Sequence, residues 1–112
     1  MKRVQQLYLI QTLDLLILFN YKKEIVVYDL NKCETISTLQ MPNFVKYIIC
    51  SDYKPIFLVF GDSGFIEIFL ALTGDLINRI GPFGPIEGVF LDENNKTLSV
   101  LNTDMKVTII DL

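Results

Sequence analysis

The sequence predicts an all-β fold, and three observations carry that prediction. One apolar–polar pattern recurs twice at the same spacing without a gap: Ile25, Ile66 and Val107 occupy one position of it, Val27, Ile68 and Ile109 another, and Tyr28, Phe69 and Ile110 a third. Each period holds short apolar runs, rich in β-branched and aromatic residues, separated by polar turns. Residues 15–19 (LLILF) and 56–60 (IFLVF) are apolar without alternation, the pattern of strands covered on both sheet faces rather than one. A period of about 40 residues with four short strands is the mark of a β-propeller blade. The chain is therefore expected to be a partial β-propeller of three consecutive blades of antiparallel strands, the last lacking its outer strand.

The first blade is expected over about residues 3–40. VQQLYLI turns near Gln11 to Asp14 into LLILF; Asn20-Tyr21-Lys22-Lys23 leads into EIVVYDL, and Asn31-Lys32-Cys33 into ETISTLQ. A helix competes between Met1 and Leu30, because Leu-rich runs do not separate the two states. The β-branched stretches Ile25-Val26-Val27 and Thr35-Ile36 favour strand. The second blade is expected over about 44–81. FVKYIIC is followed by the turn Ser51-Asp52-Tyr53-Lys54, and Pro55 stands at the start of the next strand, where its missing N–H costs least. IFLVF then meets Gly61-Asp62-Ser63-Gly64, whose glycines suit a tight turn with positive φ. FIEIFLAL and LINRI complete the unit on either side of Thr73-Gly74-Asp75. Gly81-Pro82-Phe83-Gly84-Pro85 suits neither helix nor central strand and introduces the third blade, about 85–112. That blade holds IEGVFL, TLSVL and KVTIIDL, and by the repeat a fourth strand would follow Leu112.

Size and composition narrow the function classes. The 112 residues are 51% apolar, enough for a core, and the formal charge is -3, with ten basic residues scattered except at Lys2-Arg3 and Lys22-Lys23. No basic stripe could track a phosphate backbone, so nucleic acid is not an expected partner. Met1-Lys2-Arg3 before an apolar run superficially resembles a secretory signal, but Gln11, Thr12 and Asp14 interrupt the run and no small-residue cleavage site follows. No stretch reaches the ~20 uninterrupted apolar residues of a membrane helix. Cys33 and Cys50 match no zinc or redox spacing, and two lone thiols suit a reducing compartment. The expectation is an intracellular, cytoplasmic chain with no membrane insertion.

The units resemble degenerate WD repeats over essentially the whole chain. In that family the third strand ends in an aromatic followed by Asp: Tyr28-Asp29-Leu30 keeps both, Ile110-Asp111-Leu112 keeps the Asp, and Phe69-Leu70-Ala71 keeps the aromatic. Ser51-Asp52-Tyr53-Lys54 and Asp92-Glu93-Asn94-Asn95-Lys96 are similar to the family's turn between first and second strands, and Gly61-Asp62-Ser63-Gly64 to its turn before the third. The chain has no Trp and no His, so the family's Gly-His pair and its Asp-His-Ser-Trp network are absent. The citron-homology propellers of vesicle-tethering proteins resemble the first unit nearly as well. Both resemblances imply a propeller that binds other proteins.

No catalytic apparatus is visible. Gly61-Asp62-Ser63-Gly64 has the letters around the nucleophile of chymotrypsin-like proteases, but without histidine no general base of the usual kind activates Ser63. Asp92, Glu93, Asn94 and Asn95 lack the alternating ligands and distal Glu of a calcium loop. Asn95-Lys96-Thr97 is a glycosylation sequon usable only in a secreted protein. No carboxylate pair has the spacing of a general acid and base, and no cofactor or metal is expected.

What remains is surface recognition. The loops before the first strand and between the second and third open on one rim of a propeller, here carrying Tyr21, Lys22, Lys23, Met41, Phe83 and Met105. Aromatic and Met side chains among charges are the type that anchors interfaces; the competing reading tucks Phe83 and Met41 between blades. The expected function is a non-catalytic protein–protein interaction scaffold. The alternatives are a segment of a propeller enzyme whose active groups lie in other blades, or a citron-homology-like propeller. Propellers have typically about 4 to 8 blades, so three blades are expected to belong to a larger ring or, as an alternative, to pair as two copies. Self-association through open blade faces or the edge strand near residues 107–112 is expected of the isolated chain.

Overall fold

The computed structural model describes residues 4–20, 24–41, 45–51, 54–61, 63–94 and 96–111. Eleven strands run through these residues, joined in the first blade by a single 3-10 turn, Gln11–Leu13, where the sequence places a turn. The first sheet is β1 (Val4–Ile10), β2 (Leu15–Asn20), β3 (Glu24–Asp29) and β4 (Glu34–Gln40), paired in that order. The second is β5 (Val45–Cys50), β6 (Ile56–Gly61), β7 (Ile66–Leu70) and β8 (Leu76–Ile80), again in order. The third has three strands, β9 (Ile86–Asp92), β10 (Thr97–Asn102) and β11 (Val107–Asp111), so β11 is its edge. Every pairing is antiparallel between consecutive strands. The Leu-rich runs of the first blade are strand rather than helix, because the Leu and Ile side chains of β2 find cross-strand partners on both sides.

The repeat is visible in the backbone as well as in the letters. The Leu30 amide donates to the Asp14 carbonyl at 2.9 Å, and the corresponding Ala71 amide to the Pro55 carbonyl at 2.7 Å. Asp14 and Lys96 share a left-handed conformation, φ 52° and 54°. The matching position in the second blade is Pro55, whose ring forbids positive φ, and there the turn closes differently, with the Ile56 amide donating to the Lys54 carbonyl at 2.8 Å.

The core lies in two layers, one on each side of the second sheet. Strand β6 is buried along nearly its whole length. Its Phe57 and Val59 pack with Phe69 of β7 against Leu15, Ile17, Phe19, Ile25 and Val27 of the first sheet. Its Leu58 and Phe60 pack with Ile66 and Ile68 against Leu98 and Val100 of the third. This is why the apolar run does not alternate: successive side chains point to opposite faces, and both faces are covered. Phe57 and Phe69, directly opposite each other, stack with centroids 5.4 Å apart. Strand β8, the outer strand of the second sheet, and β11, at the edge of the third, are largely exposed.

First strands approach one another on the inner side. The Lys46 Nζ donates to the Ile86 carbonyl at 3.3 Å and lies 4.0 Å from a Glu87 carboxylate oxygen. Tyr8 of β1 reaches the Ile48 backbone of β5; burial raises its hydroxyl above the ordinary value near 10.0, and that hydrogen bond works the other way. At the far end Ser51 Oγ donates to Glu93 at 2.9 Å, tying the second blade's turn to the third's.

Candidate functional site: the loop rim

The rim forms where hairpin loops and blade-to-blade connections meet. Gly64, in the β6–β7 loop, has φ +78°, and a Cβ there would sit 3.1 Å from the Gly84 carbonyl oxygen. Gly81 has φ +138°, and a Cβ there would meet the Gly64 oxygen at 2.9 Å. Glycine at both positions thus lets the hairpin loop and the β8–β9 connection lie against each other. Ser63 Oγ accepts the Phe65 amide at 3.2 Å, so the Gly-Asp-Ser-Gly motif is a hairpin turn; its Asp62 lies outside the described residues. Beside it the Arg79 guanidinium lies 3.8 Å from the centre of the Phe65 ring, a cation–π pair.

Hydrogen bonds tie this cluster to the third blade. The Phe83 amide donates to the Gly64 carbonyl at 2.8 Å, and the Thr103 amide to the Pro85 carbonyl at 3.0 Å. Asn102 is the hub. Its Nδ2 donates to the Phe83 carbonyl at 3.3 Å, while its Oδ1 accepts the Asp104 and Lys106 amides, each at 3.0 Å. Three loops from two blades are therefore held by one side chain and two backbone bonds.

Of the six rim residues expected from sequence, Tyr21, Lys22 and Lys23 lie outside the described residues. Met41 is buried in the core layer between the first and second blades. Phe83 is half-buried against the layer between the second and third. Met105 stands out, 79% exposed, in a left-handed conformation, φ 64°, that bulky residues rarely adopt. Phe83 and Met105 are brought to the same loop cluster; Met41 belongs to the neighbouring junction.

Sequence reasoning missed two polar groups of this rim. Asn102 reads as one more turn letter, and its role depends on a carbonyl 19 residues away. Glu24 reads as the polar start of a strand, yet it is buried. The Asn20 Nδ2 donates to its Oε1 at 3.1 Å, and Gln40 Nε2 donates to its Oε2 at 2.9 Å. Asn20 and Asn102 hold the same place in the repeat and both accept backbone amides of the following hairpin loop; that shared position was the available signal.

Among the described residues no group of three or more His, Cys, Asp or Glu could hold a metal ion. Nor is any helix among them long and apolar enough to cross a membrane. Cys33 is exposed on the β3–β4 turn, its thiol donating to the Leu30 carbonyl at 3.5 Å.

With this geometry established, the chain is a partial β-propeller. Among solved structures it is similar to Kluyveromyces lactis Hsv2, a WD40 β-propeller, with a TM-score of 0.64 at 15% identity over 99% of this chain and 33% of that one. The chain thus spans about a third of the length of the propeller it matches. No protein-family profile matches it, and no curated protein does.

Proposed function

We propose that the chain is a non-catalytic protein–protein interaction scaffold of WD-repeat type, which binds other proteins through its loop rim. The observation that carries this reading is the exposed, left-handed Met105 beside half-buried Phe83 on loops locked by Asn102. A bulky apolar side chain held in a costly conformation and turned to solvent is poorly explained by folding alone. On a stiffened loop it is a low-entropy interface anchor. By their place in the sequence repeat, Tyr21, Lys22 and Lys23 are proposed to belong to the same rim, while Met41 lies buried at the junction between the first and second blades. The exposed Cys33 thiol suits the reducing interior of a cell.

The test is a quantitative pull-down with the wild-type chain and Met105→Gly. Glycine relieves the positive φ, so folding stability holds or rises while the anchor is lost. Captured proteins are expected to fall at least tenfold, whereas Glu34→Ala, exposed after the β3–β4 turn of the first sheet, leaves them unchanged. An identical capture profile for Met105→Gly and wild type would overturn the rim assignment.

A further inference from the structure

The two blade junctions are built from the same repeat positions, yet on the inner side they are not filled alike. In the first junction Tyr8 of β1 packs against the core layer, and its hydroxyl is hydrogen-bonded to the Ile48 backbone of β5. One period on, Ile49 holds the place of Tyr8 and Val89 that of Ile48. Ile49 packs against the second core layer, but it has neither ring nor hydroxyl with which to repeat the contact. A neighbouring inner position changes in the same sense, for Gly88 stands where the second blade has Tyr47. At this spot lies an open cavity of about 340 Å³, whose lining includes Tyr47, Ile49 and Phe60 of the second blade and Glu87, Gly88 and Val89 of the third. Tyr47 and Phe60 give it an aromatic wall, their ring centroids 5.5 Å apart and their planes tilted by 38°. Glu87 is the one charged residue of the lining among the described residues, and Lys46 Nζ lies 4.0 Å from its carboxylate, so the pair leaves the site without net charge. Strand β9 is the inner edge of its sheet, and an edge strand turns alternate backbone groups away from its sheet. By the repeat, the Val89 backbone is turned to the cavity as that of Ile48 is to Tyr8.

We propose that this cavity binds a para-hydroxyphenyl group, carried by a partner's tyrosine or by a free phenol, whose ring packs on Tyr47 with Phe60 behind it and whose hydroxyl bonds the Val89 backbone. The occupant is read from the chain itself: the first junction shows which side chain the position accepts, and there it is the ring and hydroxyl of Tyr8. A mostly apolar cavity with a few placed polar groups suits a ligand of that kind, apolar along its body and polar at one tip. Because Glu87 is offset by Lys46, a strongly charged ligand gains little here. The two junctions compared both lie within the chain, and the cavity walls belong to the blades that form the second. The site goes beyond the scaffold reading and stands without it, since none of its residues is a rim anchor.

The test titrates para-cresol into the isotope-labelled chain and follows the backbone amide signals by nuclear magnetic resonance. Saturable shifts are expected at Gly88 and Val89. Para-fluorotoluene, of the same shape without the hydroxyl, should bind about three- to tenfold more weakly, the worth of one hydrogen bond. Ile49→Tyr gives the second junction the side chain the first already has. It should fill the cavity, abolish para-cresol binding and leave the midpoint of thermal unfolding unchanged or higher. If circular dichroism shows that this variant loses strand content, nuclear Overhauser contacts from the probe's ring protons to the Ile49 and Val89 methyl groups of the wild-type chain replace it; their presence sustains the proposal and their absence overturns it. A capped glycine pentapeptide with a central tyrosine separates the two sources. Binding at least as tight as that of para-cresol makes a partner's tyrosine the occupant, and tighter binding of para-cresol makes it a small phenol; either sustains the proposal. No saturable shift at Gly88 and Val89, equal affinity for para-fluorotoluene, or undiminished binding to a folded Ile49→Tyr would each overturn it.

Discussion

Asn102 shows how much one side chain can organise. It closes its own hairpin through the Asp104 and Lys106 amides and reaches across to the Phe83 carbonyl, so the loop bearing Met105 is fixed relative to the neighbouring blade. Asn102→Ala removes all three bonds and leaves the Phe83 carbonyl, in a part-buried bond, and the exposed Asp104 and Lys106 amides to find other partners. It is expected to destabilise the fold by about 1 to 3 kcal/mol, measured by urea unfolding. The same variant should weaken rim binding, whereas Asn78→Ala, on an exposed outer strand, should change stability by less than about 0.5 kcal/mol. Such roles are hard to read from letters. Asn102 resembles any other turn asparagine, and the burial of Glu24 becomes intelligible only when Gln40, 16 residues on, is seen donating to it.

At the level of the strand the sequence is far more informative. Unbroken apolar character in residues 56–60 announces a strand covered on both sides, and β6 is that strand. Position within the period fixes which face each residue serves, but not whether a neighbour covers the face. Ile68 and Ile109 hold the same place in β7 and β11, with the same chemistry, and only the structure shows one buried and the other bare. Ile68→Lys is therefore expected to cost about 4 kcal/mol or more, since it buries an unpaired charge. Ile109→Lys should leave the thermal midpoint of the monomeric chain nearly unchanged. Equal losses at the two positions would mean that the third blade's outer face is covered within the isolated chain. The fate of Met41 and Phe83 was similarly open: an apolar residue in a blade connection can point inward or outward, and here the first is buried and the second half-buried.

Over the whole molecule, stability is expected to be graded from the middle outward. The second blade has both faces packed, the first and third one each. Amide hydrogen exchange should be slowest in β6, which has strands on both edges and packed layers on both faces, and fastest in β8 and β11, which are exposed edges. Uniform protection across the three sheets would contradict this gradient. The overall architecture was legible because the period linking Ile25, Ile66 and Val107 survives with few disturbances. The likeness to a propeller of known structure, at only 15% identity, is one of fold. The Gly-rich connection at residues 81–85 and the Gly61-Asp62-Ser63-Gly64 turn also announced themselves, although their contact with each other did not.

The close approach of Gly64 and Gly84 separates two kinds of change the chain can absorb. Because every junction uses the same two surfaces, adding or deleting a whole unit alters how many junctions exist without altering what any one of them must fit. Shifting a boundary by a single residue does the reverse: it moves glycine away from a spot where two backbones touch and turns each strand's buried set toward water. Length here is therefore inherited in whole units.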